Sequence, residues 1–353
     1  MKQNRKRGVT CRWSSVVCGL ALAVLLGTLA TGGTPAGAAT DPVEVFVSAI
    51  AAGDEHSMAL KSDGTVWTWG WNHDGQLGDG TTTRRSTPVK VLGLTGVTAI
   101  SAGGYHSVAL KSDGTVWAWG QNLFGQLGDG TSGTSAYKNT PVQVKGLTSV
   151  RAIASGSQFT MALTRDGTVW VWGNNFGGVI GNWNTYPARC SPIPVQKSGL
   201  AGVAAIAAGE DHALALVRGG SVWTWGSNGW GQLGGGTVNA NSKRFNPQQV
   251  LTGAKAIAAG GGSYQNRHSV IIKLDGTAWT FGYNSHGGLG NGTTANSPTP
   301  VPVSGLTGAT AAAAGRDFTT ALRSDGTVWS WGNNANGQLV LLCHKLLAWP
   351  GLL

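Results

Sequence analysis

Four histidines share one position in a repeated sequence pattern, and they are the residues of this chain best suited to carry a reaction. Imidazole exchanges protons near neutral pH and is a common metal ligand. The four follow an Ala-Gly pair, and they are His56, His106, His212 and His268. In two further copies the same position holds Phe159 and Phe318, and a phenyl ring binds neither a proton nor a metal ion. The pattern therefore predicts an aromatic packing role for this position, not catalysis or metal binding.

Most carboxylates of the repeats are explained by turns. Aspartate precedes glycine at five equivalent places, and Asp-Gly is a strong signal for a hairpin turn; these are Asp63, Asp113, Asp166, Asp275 and Asp325. Asp79 and Asp129 belong to a Gly-Asp-Gly loop that becomes Gly-Gly-Gly at 234–236. No carboxylate pair suits glycoside hydrolysis, and we find no nucleophile elbow, zinc-type histidine spacing or phosphate loop. The sequence predicts a non-enzyme with no cofactor and no metal site.

The repeat itself predicts the architecture. The glycines at its Ala-Gly position, which reads Ser-Gly in the third copy, have a mean spacing of about 52 residues, and they are Gly53, Gly103, Gly156, Gly209, Gly260 and Gly315. That spacing suits a four-stranded propeller blade. We therefore predict an all-β fold, a β-propeller of four-stranded blades with six repeats visible.

Within one repeat, two β-rich runs flank the Asp-Gly pair. Ser57 to Leu60 and Thr65 to Trp69 surround Asp63-Gly64, which predicts a two-residue hairpin turn with positive φ at both central positions. Trp67 and Trp69 are two apart, so both point to the same side of the sheet, and we expect such pairs to lie between neighbouring blades. The stretches 87–91 and 97–102 supply the other strands.

The stretch Ala-Gly-x-x-His-Ser-x-Ala-Leu-Lys, at 52–61 and 102–111, precedes Trp-x-Trp-Gly-x-Asn-x-x-Gly-Gln-Leu-Gly. This pattern resembles the regulator of chromosome condensation repeat family over about residues 49–339. The resemblance implies a propeller, usually seven-bladed, that binds another protein on its faces. The chain also resembles the bacterial secreted branch of this family and is similar to its propeller-type β-lactamase inhibitory protein. Some nuclear relatives act as exchange factors for the GTPase Ran, a partner that a secreted chain would not meet.

The first forty residues lie outside the repeat. A basic start is followed by an apolar stretch at 16–30 and by the small residues Ala36-Gly37-Ala38, a pattern typical of a secretory signal peptide. A retained membrane anchor is the alternative, but the stretch is shorter than the roughly 20 residues of a spanning helix. We predict a signal peptide at 1–40, a propeller at 41–339, and a mature chain with no stable membrane span that is secreted or held at the cell surface.

Charge and cysteine content argue against a nucleic-acid-binding protein and against a disulfide-rich protein. The formal net charge is +10, and removing the five cations of residues 1–40 leaves 20 basic against 15 acidic residues, a net charge of +5. That excess is too small and too scattered to predict a nucleic-acid partner. Of the four cysteines only Cys190 and Cys343 lie beyond the signal, so no disulfide framework is expected.

Both ends of the repeat region depart from the pattern. After Gly337-Gln338-Leu339 the expected loop and Pro-Val strand are replaced by residues 340–353, an atypical apolar tail for which we expect a truncated or frame-altered origin. Residues 41–45, Asp-Pro-Val-Glu-Val, resemble Thr87 to Val91. They could complete the last blade and close the ring, although a missing seventh blade is the open alternative.

The candidate site follows from the predicted strand directions. The Asp-Gly turns and Gly-Leu-Thr connections lie on one face, here called the turn face. The Ala-Gly loops and the loops after Trp-Gly lie on the other, the loop face, where side chains differ between repeats and are free to serve recognition. Aromatic residues and Arg are favoured in protein interfaces, and the predicted partner-binding residues are Trp71, His73, Tyr105, Phe124, Phe176, Trp230, Tyr264, Arg267, Tyr283 and His286. Packing under neighbouring loops is the alternative for each.

These observations favour a secreted, non-enzymatic scaffold that binds an extracellular or cell-surface protein through its loop face. The family resemblance suggests an extracellular hydrolase, such as a β-lactamase, as the inhibited partner. The alternative is a carbohydrate-binding or glycan-processing propeller, for which Asp54-Glu55, Asp74 and Glu210-Asp211 would supply the acids. A third possibility is a fragment of a longer multi-repeat surface protein.

Overall fold

The computed structural model describes residues 45–181, 189–238, 242–261 and 267–339. The proposed signal peptide, the tail at 340–353, and all of 41–45 except Val45 lie outside the described residues. Antiparallel sheets follow one another along the chain, each in sequence order. The predicted all-β architecture is confirmed: the fold is a six-bladed propeller of four-stranded blades, and in the sixth blade three strands lie within the described residues.

The first three blades contain strands β1 to β12. The first is built from β1 (Val47–Ala52), β2 (His56–Lys61), β3 (Val66–Gly70) and β4 (Arg85–Lys90). The second has β5 (Val97–Ala102), β6 (His106–Lys111), β7 (Val116–Gly120) and β8 (Lys138–Gln143), with a short 3₁₀ helix at Thr134–Ala136. The third has β9 (Val150–Ser155), β10 (Phe159–Thr164), β11 (Val169–Asn174) and β12 (Cys190–Gln196).

Strands β13 to β23 form the other three blades. The fourth has β13 (Val203–Ala208), β14 (His212–Val217), β15 (Val222–Ser227) and β16 (Lys243–Leu251). The fifth has β17 (Ala254–Ala259), β18 (His268–Lys273), β19 (Ala278–Gly282) and β20 (Ser297–Pro302). The sixth has β21 (Ala309–Ala314), β22 (Phe318–Arg323) and β23 (Val328–Gly332).

The first strand of each blade is innermost, and it contacts the first strand of the next blade. Glycine is required where these strands end. A Cβ on Gly103 would lie 2.1 Å from Cε1 of His106 and 2.6 Å from the carbonyl oxygen of Gly156. The same crowding is found at Gly53, Gly156, Gly209 and Gly260. The Ala-Gly glycines therefore let successive blades approach closely around the axis.

The predicted packing of tryptophans between blades is confirmed. Trp119, Trp172 and Trp225 are fully buried, each in an apolar cluster shared with the preceding blade. Each indole also donates from Nε1 to a loop carbonyl of that blade, at 2.8–2.9 Å. Burial of aromatic area and a satisfied N–H together fix each junction.

The predicted two-residue turn is wrong in its geometry. Lys61 N donates to Thr65 O, Gly64 N donates to Lys61 O, and Gly64 has a φ of 75°, whereas Asp63 has no positive φ. The hairpin therefore has a three-residue loop that ends in a left-handed glycine. The aspartate accepts bonds at Oδ1 from Thr65 N (2.9 Å) and Thr65 Oγ1 (2.6 Å). Its role in the turn is confirmed, but through its side chain.

The two terminal blades each have an exposed outward side. Ile50 of β1 is 54% exposed, while its equivalent Ile100 is 4% exposed. Val328 of β23 is 40% exposed, while its equivalent Val66 is fully buried. In the described part of the chain, then, the apolar surface that joins inner blades lacks cover at both ends of the blade series.

Candidate protein interface on the loop face

The repeated histidines point inward and are structural. His56 Nε2 lies 2.9 Å from Ser107 Oγ of the next blade, and Ser107 in turn donates to the Gln76 carbonyl oxygen. Because the hydroxyl hydrogen is used on that carbonyl, the imidazole must donate from Nε2. His106, His212 and His268 bond Thr160, Ser269 and Thr319 in the same way. The prediction that this position serves packing rather than catalysis agrees with the geometry.

Burial holds these imidazoles neutral. Desolvation lowers the pKa of His56 and His268 to about 4, and that of His106 and His212 to about 3. A group that is uncharged and enclosed at neutral pH has no access to a substrate. Among the described residues, no group of three or more His, Cys, Asp or Glu side chains is arranged to hold a metal ion.

Asparagines hold the loops after Trp-Gly in one shape. Asn72 Oδ1 accepts from Leu77 N at 2.9 Å, and its Nδ2 donates to the carbonyl oxygens of Thr81 and Thr83. The same bond, from a leucine backbone N–H to an asparagine Oδ1, is accepted by Asn122, Asn228, Asn284 and Asn334. Side chains next to these asparagines are therefore carried on a rigid frame, which lowers the entropy that binding would cost.

The predicted aromatic residues form three clusters on this frame. Trp71 stacks on His73 with centroids 6.2 Å apart. Phe124 meets Phe176 edge-on at 5.7 Å. In the third cluster Trp230 meets Tyr283 edge-on at 5.3 Å, and Tyr283 lies 6.3 Å from His286. The last two clusters each join neighbouring blades.

Each cluster has a solvent-facing member. Trp71 and Phe176 are both 39% exposed, and His73 and His286 are exposed as well. Their partners Phe124, Trp230 and Tyr283 are half-buried, as is Tyr105 near the axis. Tyr264 lies outside the described residues. The half-buried rings are packed as the alternative for this set expects, and they support the exposed ones.

Arg267 forms ion pairs with neighbouring carboxylates. Its Nε lies 3.1 Å from Glu210 Oε2 and 2.8 Å from Asp211 Oδ1, and its side chain is 13% exposed. Burial raises the pKa of Asp211 to about 6, although Arg267 opposes that shift. The arginine therefore links two blades near the axis and presents little of its surface to a partner.

Several polar residues of this face were missed in the sequence. Gln121 Nε2 donates to Asp74 Oδ2 at 3.0 Å and accepts at Oε1 from Gln126. Asn174 Nδ2 donates to Gln158 Oε1 at 2.8 Å. The Arg189 guanidinium lies 5.3 Å from the centre of the Phe176 ring. Variation between repeats marks the positions of Gln121 and Gln158, and that signal could have identified them.

A model of the RCC1-like domain matches residues 16–345. The chain belongs to the RCC1-like domain family. It is 33% identical over 292 residues to the E3 ubiquitin-protein ligase HERC2 of Mus musculus, covering 80% of this chain and 6% of HERC2. It is 32% identical over 248 residues to the Ultraviolet-B receptor UVR8 of Arabidopsis thaliana, covering 69% of this chain and 54% of UVR8. This RCC1-like chain thus spans a small part of the first relative and about half of the second.

Solved structures agree with the family. Yeast RCC1 (Prp20) bound to Kap60 superposes with a TM-score of 0.70 at 26% identity, covering 82% of this chain and 70% of that chain. Prp20p from Saccharomyces cerevisiae, described with its binding to Gsp1p and histones, gives 0.69 at 26% identity, covering 80% and 71%. In the described part of this RCC1-like propeller no helix is long and apolar enough to cross a membrane.

Proposed function

We propose that this RCC1-like propeller is a secreted or cell-surface protein, without catalytic activity of its own, that binds another protein through its loop face. The observation that carries the proposal is the set of three aromatic clusters on an asparagine-anchored frame. Exposed aromatic residues supply large contact area with few rotors to freeze. The yeast relatives, described with Kap60, Gsp1p and histones, support protein binding as the use of the fold.

Secretion and the partner class are further parts of the proposal. The basic start, apolar stretch and small residues of 1–40 support export. An exported propeller would meet extracellular enzymes, and the resemblance to the secreted inhibitory branch supports a hydrolase such as a β-lactamase. Inhibition would then result from a rigid loop face covering the hydrolase active site.

Matched variants of the chain without residues 1–40 test the loop face. The loop-face variant combines Trp71→Ala, Phe176→Ala and His286→Ala. The control combines Arg218→Ala with Leu274→Ala, two exposed residues of the turn face. We expect purified serine β-lactamases, assayed with a chromogenic substrate, to be inhibited by the parent and by the control. The loop-face variant should lose at least about 2.7 kcal/mol of binding, or roughly 100-fold in affinity.

A pull-down from the culture supernatant extends the test to other partners. A protein retained by the parent and the control, but not by the loop-face variant, would support the proposal. Equal retention by all three chains would contradict it. Binding of the parent to a glycan array, lost in the loop-face variant, would replace protein recognition with the carbohydrate alternative.

A further inference from the structure

Blade six has a third strand whose outer edge has no partner among the described residues. In blades one to five the third strand pairs with a fourth, as β3 does with β4 and β19 does with β20. The edge of β23 carries Val328 and Trp329, which are 40% and 43% exposed. Val66 and Ala278, the equivalents of Val328, are 0% and 1% exposed. Trp67 and Trp279, the equivalents of Trp329, are half-buried. An uncovered apolar edge strand pairs readily with another segment.

The loop that follows β23 has the same hydrogen bonds as the equivalent loops of blades one and five as far as Leu339. Leu339 N donates to Asn334 Oδ1 at 2.9 Å, the same distance as in the Leu77–Asn72 and Leu289–Asn284 pairs. Gln338 also accepts from Asn336 N, as Gln76 does from Asp74 N. Leu339 therefore occupies the same place as Leu77 and Leu289, the residues from which the chain continues to the fourth strand in blades one and five.

Counting from that leucine places the atypical tail in register with a fourth strand. Pro88 of β4 and Pro300 of β20 each lie 11 residues after the loop leucine, and Pro350 lies 11 residues after Leu339. The next buried position, held by Val91 and Val303, is 14 residues after the leucine. In blade six that position is Leu353. Proline is accepted here because β4 and β20 are outer strands.

We propose that residues 347–353 dock on the free edge of β23 as the fourth strand of blade six. The register copied from blades one and five sets Trp329 opposite Leu352 and Ser330 opposite Gly351, as Trp67 faces Lys90 and Thr68 faces Val89. Leu353 then takes the place of Val91, whose N–H donates to the Val66 carbonyl oxygen at 2.9 Å. It covers Val328, and the tail protects the edge from pairing with a second chain.

The stretch at 41–45 is the weaker candidate for the same edge. Val45 is followed directly by Phe46, whose carbonyl oxygen accepts from Ser62 N beside the innermost strand. In blade two Gly96 accepts the equivalent bond from Ser112 N, and it lies five residues after Val91. Outer and inner strands of a blade are roughly 14 Å apart at about 4.8 Å per strand. One residue does not span that distance.

Hydrogen exchange at β23 tests the docking in the chain without residues 1–40. Four forms are compared: the parent, Leu353→Asp, a chain ending at residue 346, and Leu342→Asp as a tail control outside the docked segment. A fifth form carries residues 290–303 in place of 340–353 and serves as a positive control. We expect protected β23 amides in the parent, in Leu342→Asp and in the fifth form. Exchange should be at least about 10-fold faster in Leu353→Asp and in the shortened chain.

The β3 amides serve as the internal reference for folding in every form. Unchanged β3 exchange together with equal β23 exchange in the parent and the shortened chain would overturn the proposal. So would β23 protection that falls on dilution with a sedimenting dimer, since a second copy would then occupy the edge. Protection of the β23 amides that appears only with a captured partner protein would also overturn the proposal.

Discussion

At the scale of single residues, the repeated histidine shows how a reactive group becomes structural. The imidazole donates to a hydroxyl of the next blade, and that hydroxyl donates to a loop carbonyl. Protonation would add a hydrogen at Nδ1, and Nδ1 of His56, His106 and His212 is buried with no hydrogen-bond acceptor. Phe159 and Phe318 fill the same space without the bond. Shape is therefore the shared requirement, and neutrality is the added condition where histidine is used.

This neutrality predicts acid sensitivity. The folded-state pKa values of about 3 to 4 lie below the 6.5 of a solvent-exposed histidine, so the unfolded chain binds more protons between those limits. The free energy of unfolding is therefore not reduced by the histidines above pH 6.5, and it falls as the pH drops towards 4. Each histidine should cost about 2 kcal/mol at pH 5. Urea unfolding at pH 7.5 and pH 5 measures this loss.

The matched variant replaces the four histidines with phenylalanine, the residue that blades three and six use. We expect it to lose most of the difference between pH 7.5 and pH 5. An unchanged difference would assign the acid sensitivity to other groups. Asp211 is not one of them, because its raised pKa makes stability rise as the pH falls.

Lys197 is a second buried titratable residue, and it predicts a response at high pH. It stands where other blades have Val91 or Val144, is 4% exposed, and donates from Nζ to the carbonyl oxygens of Ile180 and Phe245. Desolvation lowers its pKa to about 8, from the 10.5 of a solvent-exposed lysine. The unfolded chain binds the extra proton between these values, so stability rises with pH across that window, by up to about 3 kcal/mol.

Comparison of the parent with Lys197→Met isolates this response, because other lysines and tyrosines titrate equally in both. We expect the stability difference between the two chains to change in favour of the parent as the pH rises from 8 to 10.5. A constant difference across that range would show that the two carbonyl acceptors keep Lys197 charged in the folded state.

At the scale of the structural elements, the sequence predicted what a repeat specifies and missed what neighbouring blades decide. Spacing and Trp-x-Trp were sufficient for the strands and the blade junctions. The turn type was wrong because Asp63 uses its side chain to accept from Thr65, and that satisfies the loop without a positive φ at the aspartate. The exposed rings Trp71 and Phe176 were predicted, since loop positions free of packing vary between repeats. The pairing of Arg267 with Glu210 and Asp211 joins two blades, and local sequence carries no signal for it.

At the scale of the whole molecule, the position of a blade in the series decides how much its tryptophan contributes. Trp172 is fully buried against blade two and donates to the Gln126 carbonyl oxygen. Trp69 holds the equivalent place in blade one, where no described blade precedes it, and it is only half-buried. The same indole in the same repeat therefore removes different apolar areas from water, and the burial energy follows the area.

Trp172→Ala and Trp69→Ala form a matched pair for this difference. We expect Trp172→Ala to lower the free energy of unfolding by about 3–5 kcal/mol, because it leaves a cavity in a closed junction. Trp69→Ala should cost roughly half as much, because part of its surface is already hydrated. Urea unfolding monitored by circular dichroism measures both at pH 7.5. Equal losses would mean that another surface covers Trp69 in solution, and blade one would then be packed on both sides like the blades inside the series.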